Sequence, residues 1–125
     1  MLRNLFLMLF MNISCLGYAQ NHKNLTTNEF EKAIKDKNVV VLDVRTDAEF
    51  KAGHLPNAQS IDVNGADFSQ KIAKLDKNKA YYVYCKSGVR STKACNALTS
   101  LGFKKIHNLE NGFKDWQAAG KKVVK

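Results

Sequence analysis

The chain has 125 residues, of which 45% are hydrophobic and 25% charged, with one proline and seven glycines. This length suits one ordinary globular domain and excludes two large ones. The near-average composition argues against collagen-like, disordered and disulfide-stapled proteins. Twenty lysines and arginines against eleven acidic residues give a formal net charge of +9, which points to an anionic partner without identifying the anion.

The N-terminal residues 1–19 are predicted to be a secretory signal peptide. Arg3 comes first, and the apolar run over 5–13 that follows contains one polar residue, Asn12. This run is well short of the roughly 20 apolar residues that a helix needs to cross a bilayer. A basic start followed by a short apolar stretch is typical of an exported protein, so we predict a periplasmic location and no stable membrane span.

The signal peptide is predicted to be cut before Gln20. Gly17 and Ala19 place small side chains three positions and one position ahead of the cut, where a signal peptidase accepts them. The mature domain is then 20–125. Cys15 leaves an alternative open, because the residues around it loosely resemble the site at which bacterial lipoproteins are cut and acylated. In that case the protein is lipid-anchored.

Beyond the signal peptide, helices and strands alternate without an internal repeat or a linker. Thr26 and Glu29 have the spacing of a capping box and start a helix predicted over 27–36. The next predicted elements are strands over 39–44 and 60–63, a helix over 67–75 and a strand over 81–84. A helix follows with the apolar stripe Ala94, Cys95, Leu98 and Leu101, ended by Gly102, then a strand over 106–109 and a short helix with Phe113 and Trp116.

This alternation predicts a single α/β domain with a mostly parallel central sheet and helices on both faces. The strands over 39–44 and 81–84 are apolar on both faces, as in strands that are covered from two sides. In such sheets, ligands bind outside the carboxyl ends of the strands. The site is therefore expected directly after Val44, Val63, Tyr84 and Leu109.

One of these segments, from Cys85 to Ser91, carries the chemistry. Cys85 ends a strand, and a tight loop leads from it into a helix; the loop consists of Lys86, Ser87, Gly88, Val89 and Arg90. Backbone N–H groups and the positive end of the helix dipole meet in front of a side chain in this position. Such thiols have pKa values of about 3.5 to 7.5, against about 8.5 for a free cysteine. Cys85 is therefore the candidate nucleophile, with the amides of 86–90 as the anion cradle.

The residues around Cys85 are predicted to support the thiolate. Gly88 allows a positive φ, so that successive amides converge on the sulfur. Lys86 and Arg90 favour the thiolate by their charge, and Arg90 either holds the loop by bonding to carbonyl groups or faces the anion. Ser91 is predicted to cap the helix, with its hydroxyl close to the sulfur of Cys85.

Seven motifs in one order and spacing connect the chain from about residue 23 to 124 with a known family. They are Asp43-Val44-Arg45, Glu49-Phe50, Gly53-His54-Leu55-Pro56-Asn57-Ala58, the loop from Cys85 to Ser91, Gly102-Phe103, the segment 108–113, and Trp116. Together they resemble a single rhodanese domain. Asn57 and Asn111 stand where the family commonly has glycine, which puts the geometry of two turns in doubt.

The resemblance implies a rhodanese-like fold with about five strands and a sulfurtransferase activity. Cys85 would take the outer sulfur of a donor such as thiosulfate, hold it as a persulfide, and pass it to cyanide or a thiol. Lys86, Ser87, Gly88, Val89 and Arg90 would bind the sulfur anion. The cycle needs no metal ion, flavin or other cofactor. We expect a monomer, with a protein thiol as an alternative acceptor.

Two alternatives to this enzyme stay open. Phosphatases and arsenate reductases of the same fold enclose five residues between cysteine and arginine, which makes room for a tetrahedral oxyanion. Cys85 and Arg90 enclose four, which disfavours these activities. The second alternative is a non-catalytic or sulfur-carrier module that docks on a partner protein. The presence of Cys85 argues against an inactive domain but does not separate an enzyme from a carrier.

Other cysteines and histidines are assigned to structure. Cys95 lies on an apolar helix stripe and is expected to pack in the core without a disulfide to Cys85. His54 is expected to pack and to form hydrogen bonds. His22 and His107 are too isolated to indicate a metal site.

The remaining charged residues receive no catalytic role. Asp43 and Glu49 are expected to fix Arg45 and the turns around the site, and Arg45 is a candidate for the pocket entrance. No aromatic residues interleave with the lysine pairs, so we predict no nucleic-acid groove. These pairs are Lys104-Lys105 and Lys121-Lys122.

Overall fold

A computed structural model describes residues 22–125. The predicted signal peptide over 1–19, its cleavage point before Gln20 and the alternative acylation site Cys15 lie outside the described residues. Within the described range, no helix is long and apolar enough to cross a membrane. This part of the chain forms one five-stranded sheet with five helices.

Strands and helices alternate along the chain, which confirms the α/β class. The strands are β1 (His22–Leu25), β2 (Val40–Asp43), β3 (Gln59–Ser60), β4 (Tyr81–Tyr84) and β5 (Ile106–Leu109). The helices are α1 (Thr27–Ala33), α2 (Asp47–Ala52), α3 (Phe68–Ala73), α4 (Val89–Ser100) and α5 (Gly112–Ala118). Of these elements, β1 and α2 are absent from the sequence prediction.

The two additional elements carry weak sequence signals. β1 contains one aliphatic residue and joins the edge of the sheet by pairing with β5, with His22 opposite Ile106. α2 is six residues long and begins with a capping box between Thr46 and Glu49. The same spacing predicts α1, where the capping box of Thr26 is confirmed. An apolar period cannot develop in a helix as short as α2, so the capping residues are its one sequence signal.

The sheet brings the carboxyl ends of its strands to one edge. The strand order is β1-β5-β4-β2-β3, and all four neighbouring pairs are parallel. The register sets Val40 beside Tyr81 and Tyr81 beside Ile106, so β2, β4 and β5 begin at the same level. The segments that follow these strands therefore meet at one edge, as predicted.

Each face of the sheet packs against helices, as the two-faced apolar strands predict. One core contains Leu42, Val83 and Ile106 from the sheet and Ile72 and Leu98 from α3 and α4. The other contains Val41, Tyr84 and Leu109 from the sheet and Phe30 and Trp116 from α1 and α5. Burial on both faces fixes β2, β4 and β5, and with them the position of the loop after β4.

Several elements are shorter than predicted. The helix predicted to reach Asp36 ends three residues earlier, because the N–H groups of Lys35 and Asp36 donate to carbonyls three residues back instead of four. The helix predicted over 67–75 is likewise trimmed at both ends. Of the strand predicted over 60–63, only its start belongs to β3, although Ile61 still donates to the Asp43 carbonyl at 2.9 Å.

Three turn residues behave differently from one another. Gly102 ends α4 as predicted, since its N–H donates to the Thr99 carbonyl at 3.0 Å and that of Phe103 to the Leu98 carbonyl at 3.2 Å. Asn57 has a φ of 64°, so it takes the left-handed conformation that the family's glycine takes without strain. Asn111 has an ordinary φ of −105°. The doubt about turn geometry therefore applies to Asn57 alone.

A buried polar network lies at the carboxyl edge of β2 and β4. Arg45 Nη2 and Asp43 Oδ2 are 2.6 Å apart, with side chains 4% and 0% exposed. The Tyr84 hydroxyl donates to the same Oδ2 at 2.6 Å and accepts from the Leu55 N–H at 3.0 Å. Arg45 also donates to the Gly53 carbonyl at 2.7 Å. The network ties β2, β4 and the segment after α2 together beside the expected site.

Substitution Asp43→Ala should destabilise the fold by about 3 to 5 kcal/mol, because it leaves the Arg45 guanidinium buried without its counter-ion. Tyr84→Phe, which removes one hydrogen bond to a charged group, should cost about 1.5 to 3 kcal/mol. Urea unfolding measures both values. Lys51→Ala, which removes an exposed ion pair with Asp47, is the control and should change stability by less than about 1 kcal/mol. Equal losses in Asp43→Ala and Lys51→Ala would contradict a stabilising network.

Candidate active site

Cys85 follows the last residue of β4 and is 1% exposed. Gly88, with a φ of 101°, turns the chain so that α4 begins at Val89. The left-handed conformation is inexpensive for glycine, and it aims the Gly88 N–H back at Cys85. The Gly88 N–H donates to Cys85 Sγ at 3.1 Å. The predicted convergence of the loop on the sulfur is therefore present in the fold.

Ser91 lies on the other side of the sulfur. Its hydroxyl oxygen is 3.4 Å from Cys85 Sγ and also donates to the Gly88 carbonyl at 3.1 Å. In the neutral site the thiol can donate to Ser91 Oγ, and after ionisation the hydroxyl can rotate to donate to the thiolate. The prediction that Ser91 is the N-cap is wrong, because Gly88 occupies that position, but its predicted closeness to the sulfur is confirmed.

The two described cysteines have opposite environments. Burial raises the pKa of the Cys85 thiol, but hydrogen bonds from Ser91, Gly88 and Ser87 outweigh burial and leave the pKa below its ordinary value. Burial raises the pKa of Cys95 to about 12, with a smaller contribution from the nearby charge at Cys85. Both are free thiols, and Cys95 is 0% exposed within the apolar core. Cys95 therefore packs as predicted, and Cys85 is the thiol set up to ionise.

The segment 110–114, which leads from β5 into the first turn of α5, braces the loop from outside. The N–H groups of Phe113 and Lys114 donate to the carbonyls of Cys85 and Lys86 at 2.8 and 3.0 Å. The two segments approach so closely that a Cβ on Gly88 would overlap the Glu110 carbonyl oxygen, and a Cβ on Gly112 would overlap that of Lys86. Backbone packs directly on backbone here, so the amide directions in the loop are fixed by a second segment.

Arg90 pairs with a carboxylate that the sequence analysis did not assign to it. Its guanidinium forms two hydrogen bonds with Glu49, at 2.7 and 3.0 Å, rather than with a loop carbonyl. These hydrogen bonds are the main cause of the raised pKa of Arg90, and the charge at Cys85 contributes to it, so the guanidinium lies within electrostatic range of the sulfur. Glu49 also accepts from the Thr46 N–H at 3.1 Å and so caps α2. The hydrogen bonds with Arg90 lower the pKa of Glu49 to about 2, against the opposing effect of burial. Asp43 therefore holds Arg45 as predicted, and Glu49 fixes the turn at the start of α2 as predicted, but the arginine that Glu49 holds is Arg90.

A cavity of about 370 Å³ adjoins the loop. Its lining includes the three cations Arg45, Lys86 and Lys114 together with Phe113 and Glu49. The Arg45 guanidinium lies 4.2 Å from the centre of the Phe113 ring, which holds the cation flat against the wall of the cavity. Arg45 therefore lines the entrance of the cavity, as predicted for the pocket, although its charge is neutralised by the ion pair with Asp43.

The other predicted loop residues are spread around the site. Ser87 is exposed and contributes its backbone to the sulfur environment, whereas Val89 begins α4 with its side chain 75% exposed. Lys86 is exposed and lines the cavity. Of the predicted cradle, the backbone N–H groups of Ser87 and Gly88 act on the sulfur, that of Gly88 at 3.1 Å.

Residues assigned to structure are found in structural roles. His54 stacks on Phe50 with ring centroids 3.8 Å apart, and its Nδ1 is 2.9 Å from the Phe50 carbonyl oxygen. Among residues 22–125, no group of three or more histidines, cysteines and acids is arranged to hold a metal ion. Sequence analysis missed the bracing role of Gly112, which lies within one of the family motifs but gives no local signal of contact with the loop.

The chain belongs to the rhodanese-like family, since the family model of the rhodanese-like domain matches residues 26–119. The resemblance based on sequence motifs is thereby confirmed. The crystal structure of a rhodanese-related protein from Thermoplasma volcanium matches with a TM-score of 0.73 at 30% identity, covering 82% of this chain and 97% of that one. The rhodanese-like fold is therefore confirmed as well.

Relatives of the chain include sulfurtransferases. Thiosulfate sulfurtransferase GlpE of Coxiella burnetii is 30% identical over 97 residues, which cover 78% of this chain and 89% of that protein. The tRNA uridine(34) hydroxylase of Cytophaga hutchinsonii is 43% identical over 94 residues, which cover 72% of this chain and 30% of that longer protein. The rhodanese-like unit thus occurs both as a nearly complete protein and as a part of a larger one.

Substitution Gly112→Ala should raise the pKa of Cys85 toward the ordinary thiol value, because the new Cβ pushes the Lys86 carbonyl and the loop away. The pH dependence of Cys85 alkylation measures this pKa independently of access. Gly120→Ala is a matched control, since Gly120 has a similar φ of 70° but nothing within 4 Å of an added Cβ. Gly120→Ala should lower the free energy of unfolding by about 1 to 2 kcal/mol and leave the pKa of Cys85 unchanged. An unchanged pKa in Gly112→Ala would contradict the bracing role.

The ion pair between Glu49 and Arg90 should give stability a specific pH dependence. Because the pKa of Glu49 is lowered to about 2 in the fold, the contribution is present above the ordinary glutamate value of about 4.3 and is lost as the pH falls toward 2. Urea unfolding of the wild type and Glu49→Gln measures the difference across this range. A difference in stability that stays constant down to pH 2 would contradict the pairing.

Proposed function

We propose that the protein is a rhodanese-type sulfurtransferase that carries sulfur as a persulfide on Cys85. The supporting observation is the sulfur itself, which accepts a backbone N–H at 3.1 Å inside a loop that sits at the start of α4. A backbone donor and a helix N-terminus favour a sulfur anion in this position. The same donors favour a persulfide anion, which carries its charge one atom further out.

The proposed reaction has two steps. The Cys85 thiolate attacks the outer sulfur of thiosulfate, a new S–S bond forms, and the bond to the sulfonate sulfur breaks so that sulfite leaves with the electron pair. In the second step, cyanide or a thiolate attacks the terminal sulfur of the persulfide. Thiocyanate or a new persulfide forms, and the Cys85 thiolate leaves unchanged. Both steps are nucleophilic displacements at sulfur, which need a low-pKa thiol but no metal or flavin.

The position of Arg90 supports sulfur chemistry over phosphate chemistry. A phosphatase of this fold needs a wide loop and an arginine that embraces the oxyanion. Here four residues separate Cys85 from Arg90, and the guanidinium is already bound to Glu49 at 2.7 and 3.0 Å. The short loop and the engaged arginine therefore favour transfer of a single sulfur atom over binding of a tetrahedral oxyanion.

The cavity beside the loop is the proposed entry for donor and acceptor. Arg45, Lys86 and Lys114 give it a cationic lining, and Phe113 supplies an apolar wall. A small sulfur anion such as thiosulfate suits this lining better than a neutral substrate. We assign the binding of this anion to the loop Lys86, Ser87, Gly88, Val89 and Arg90, with backbone contacts dominating.

A sulfur-carrier module is the second candidate function. Val89 supports it, because a large apolar side chain that is 75% exposed at the tip of the reactive loop is suited to contact with a partner protein. An enzyme turns over thiosulfate with free cyanide, whereas a carrier keeps its persulfide until one protein thiol accepts it. Persulfide lifetime in the presence of cyanide therefore separates the two functions.

We further propose that the chain is exported as a monomer after cleavage before Gln20. The support comes from the basic start and the short apolar run over 5–13. Intact-mass measurement of protein from the native host tests this directly. A mature N-terminus at Gln20 would support export as a soluble protein, whereas an acylated Cys15 would show that the protein is lipid-anchored.

Incubation with thiosulfate should add the mass of one sulfur atom to the wild-type protein, and cyanide should remove it. Cys85→Ser should abolish both the adduct and thiocyanate formation, because the serine hydroxyl does not ionise near neutral pH. Cys95→Ala is the control and should retain the activity, because Cys95 is buried in the core with its pKa raised to about 12. Intact-mass spectrometry and a thiocyanate assay check these results. An adduct that persists in Cys85→Ser would contradict the proposal.

A further inference from the structure

The edge of the sheet opposite to Cys85 carries an unexplained concentration of lysines. Three connections lead from a helix into the amino ends of β2, β4 and β5, and each carries two exposed lysines beyond the C-cap residue of its helix. We call these six residues the basic pole; they are Lys35, Lys37, Lys77, Lys79, Lys104 and Lys105. Two acidic residues lie in the same connections, Asp36 and Asp76.

The lysines of the basic pole are close together and without ionic partners among the described residues. β5, β4 and β2 are adjacent in the sheet, and backbone bonds join their connections, from Tyr81 N–H to the Lys105 carbonyl at 2.8 Å and from Val40 N–H to the Ala80 carbonyl at 2.9 Å. The five ion pairs of this part of the chain all involve other cations. Asp36 accepts from the backbone of its own turn at 2.8 Å.

The basic pole is too far from the reactive thiol to serve it. β4 has four residues and separates the two edges of the sheet by about 13 Å. The Debye length at physiological ionic strength is about 8 Å, so charges exposed at one edge are largely screened at the other. Attraction of a sulfur anion to Cys85 therefore does not explain the lysines, and a separate anionic partner does.

The N-terminal segment of the chain joins the domain at the same pole. His22 begins β1 opposite Ile106, the first residue of β5, and Lys23 lines one shallow cavity with Lys104 and Lys105. The residues between the apolar run and His22, 14–21, reach at most about 28 Å even when fully extended. The apolar run over 5–13 precedes this segment and Cys15 lies within it, so membrane insertion of the run or acylation of Cys15 would place the basic pole against a membrane.

We propose that the basic pole is a docking surface for the anionic phospholipid headgroups of a bilayer. Leu101, at the end of α4 beside these lysines, is one of two large hydrophobic side chains exposed among the described residues. A lysine cluster with one apolar residue suits the headgroup boundary. Nucleic acid is a poorer fit, because the aromatic rings beside these lysines are not free for bases: Tyr81 and Phe103 are buried, and Tyr82 stacks on His107 with ring centroids 4.2 Å apart.

The proposal fixes the orientation of the domain on the membrane. Strand amino ends face the bilayer, and the Cys85 loop at the carboxyl ends faces the aqueous phase. The surface acts in the same way whether the first nineteen residues are removed or retained, since it is built from the described domain. It is independent of the chemistry proposed for Cys85.

Co-sedimentation of the full chain with vesicles tests the docking surface. The variant Lys77→Gln/Lys79→Gln/Lys104→Gln/Lys105→Gln should bind vesicles of phosphatidylglycerol and phosphatidylcholine about tenfold to hundredfold more weakly than the wild type. The control variant Lys51→Gln/Lys86→Gln/Lys93→Gln/Lys114→Gln removes the same charge near the carboxyl ends of the strands and should bind nearly as well as the wild type. Pure phosphatidylcholine vesicles give the baseline that the apolar N-terminal run contributes.

Salt dependence and the two variants together separate docking by the basic pole from attraction by net charge alone. Binding of the wild type should weaken as salt rises from about 0.01 M to about 1 M, where the Debye length falls to about 3 Å. Equal weakening in both variants would show an effect of net charge and overturn the proposal. Unchanged vesicle binding of the Lys77→Gln/Lys79→Gln/Lys104→Gln/Lys105→Gln variant would also overturn the proposal. Displacement of the wild type from the vesicles by single-stranded RNA would overturn it as well. If the basic-pole variant loses thermal stability but not vesicle binding, the lysines stabilise the helix ends and the docking proposal is wrong.

Discussion

Direct packing of one peptide segment on another holds the reactive loop of this protein in place. The loop after β4 has no regular structure of its own, and the segment 110–114 at the start of α5 supplies the partner that keeps its amides aimed at Cys85. Gly88 and Gly112 permit this approach, because a side chain at either position would overlap the backbone of the facing segment. The sheet and both cores can be understood as the frame that keeps these two segments in register.

The charges around the loop are arranged in pairs that leave the sulfur to the backbone. Arg45 is matched by Asp43, and Arg90 by Glu49, so neither arginine acts as a free cation above Cys85. The Arg90–Glu49 pair instead connects α2 to the start of α4, and the Arg45–Asp43 pair connects β2 to the segment after α2. Since paired charges are weak sources of long-range potential, the attraction of an incoming anion depends on the fixed N–H groups and on Lys86 and Lys114 at the cavity.

Much of the fold follows from patterns in the sequence, and the misses have identifiable causes. β4 and β5 are found within the predicted bounds because their apolar runs are short and sharply delimited. β1 is missed because an edge strand needs no apolar period, and its position depends on pairing with β5. For the site, Cys85 and Gly88 follow from local geometry at the end of a strand. The partner of Arg90 does not, because Glu49 is 41 residues away and its approach is decided by the tertiary fold.

The main-chain origin of the cradle determines which changes this site can tolerate. A donor that is a peptide N–H cannot be deleted by replacing its own side chain. Substitutions at the exposed residues Lys86, Ser87 and Val89 therefore leave the set of backbone donors intact. Substitutions that abolish activity should instead be concentrated at the positions that set the backbone conformation. A saturation-mutagenesis map would then show that the exposed loop positions tolerate substitution and that the buried ones do not.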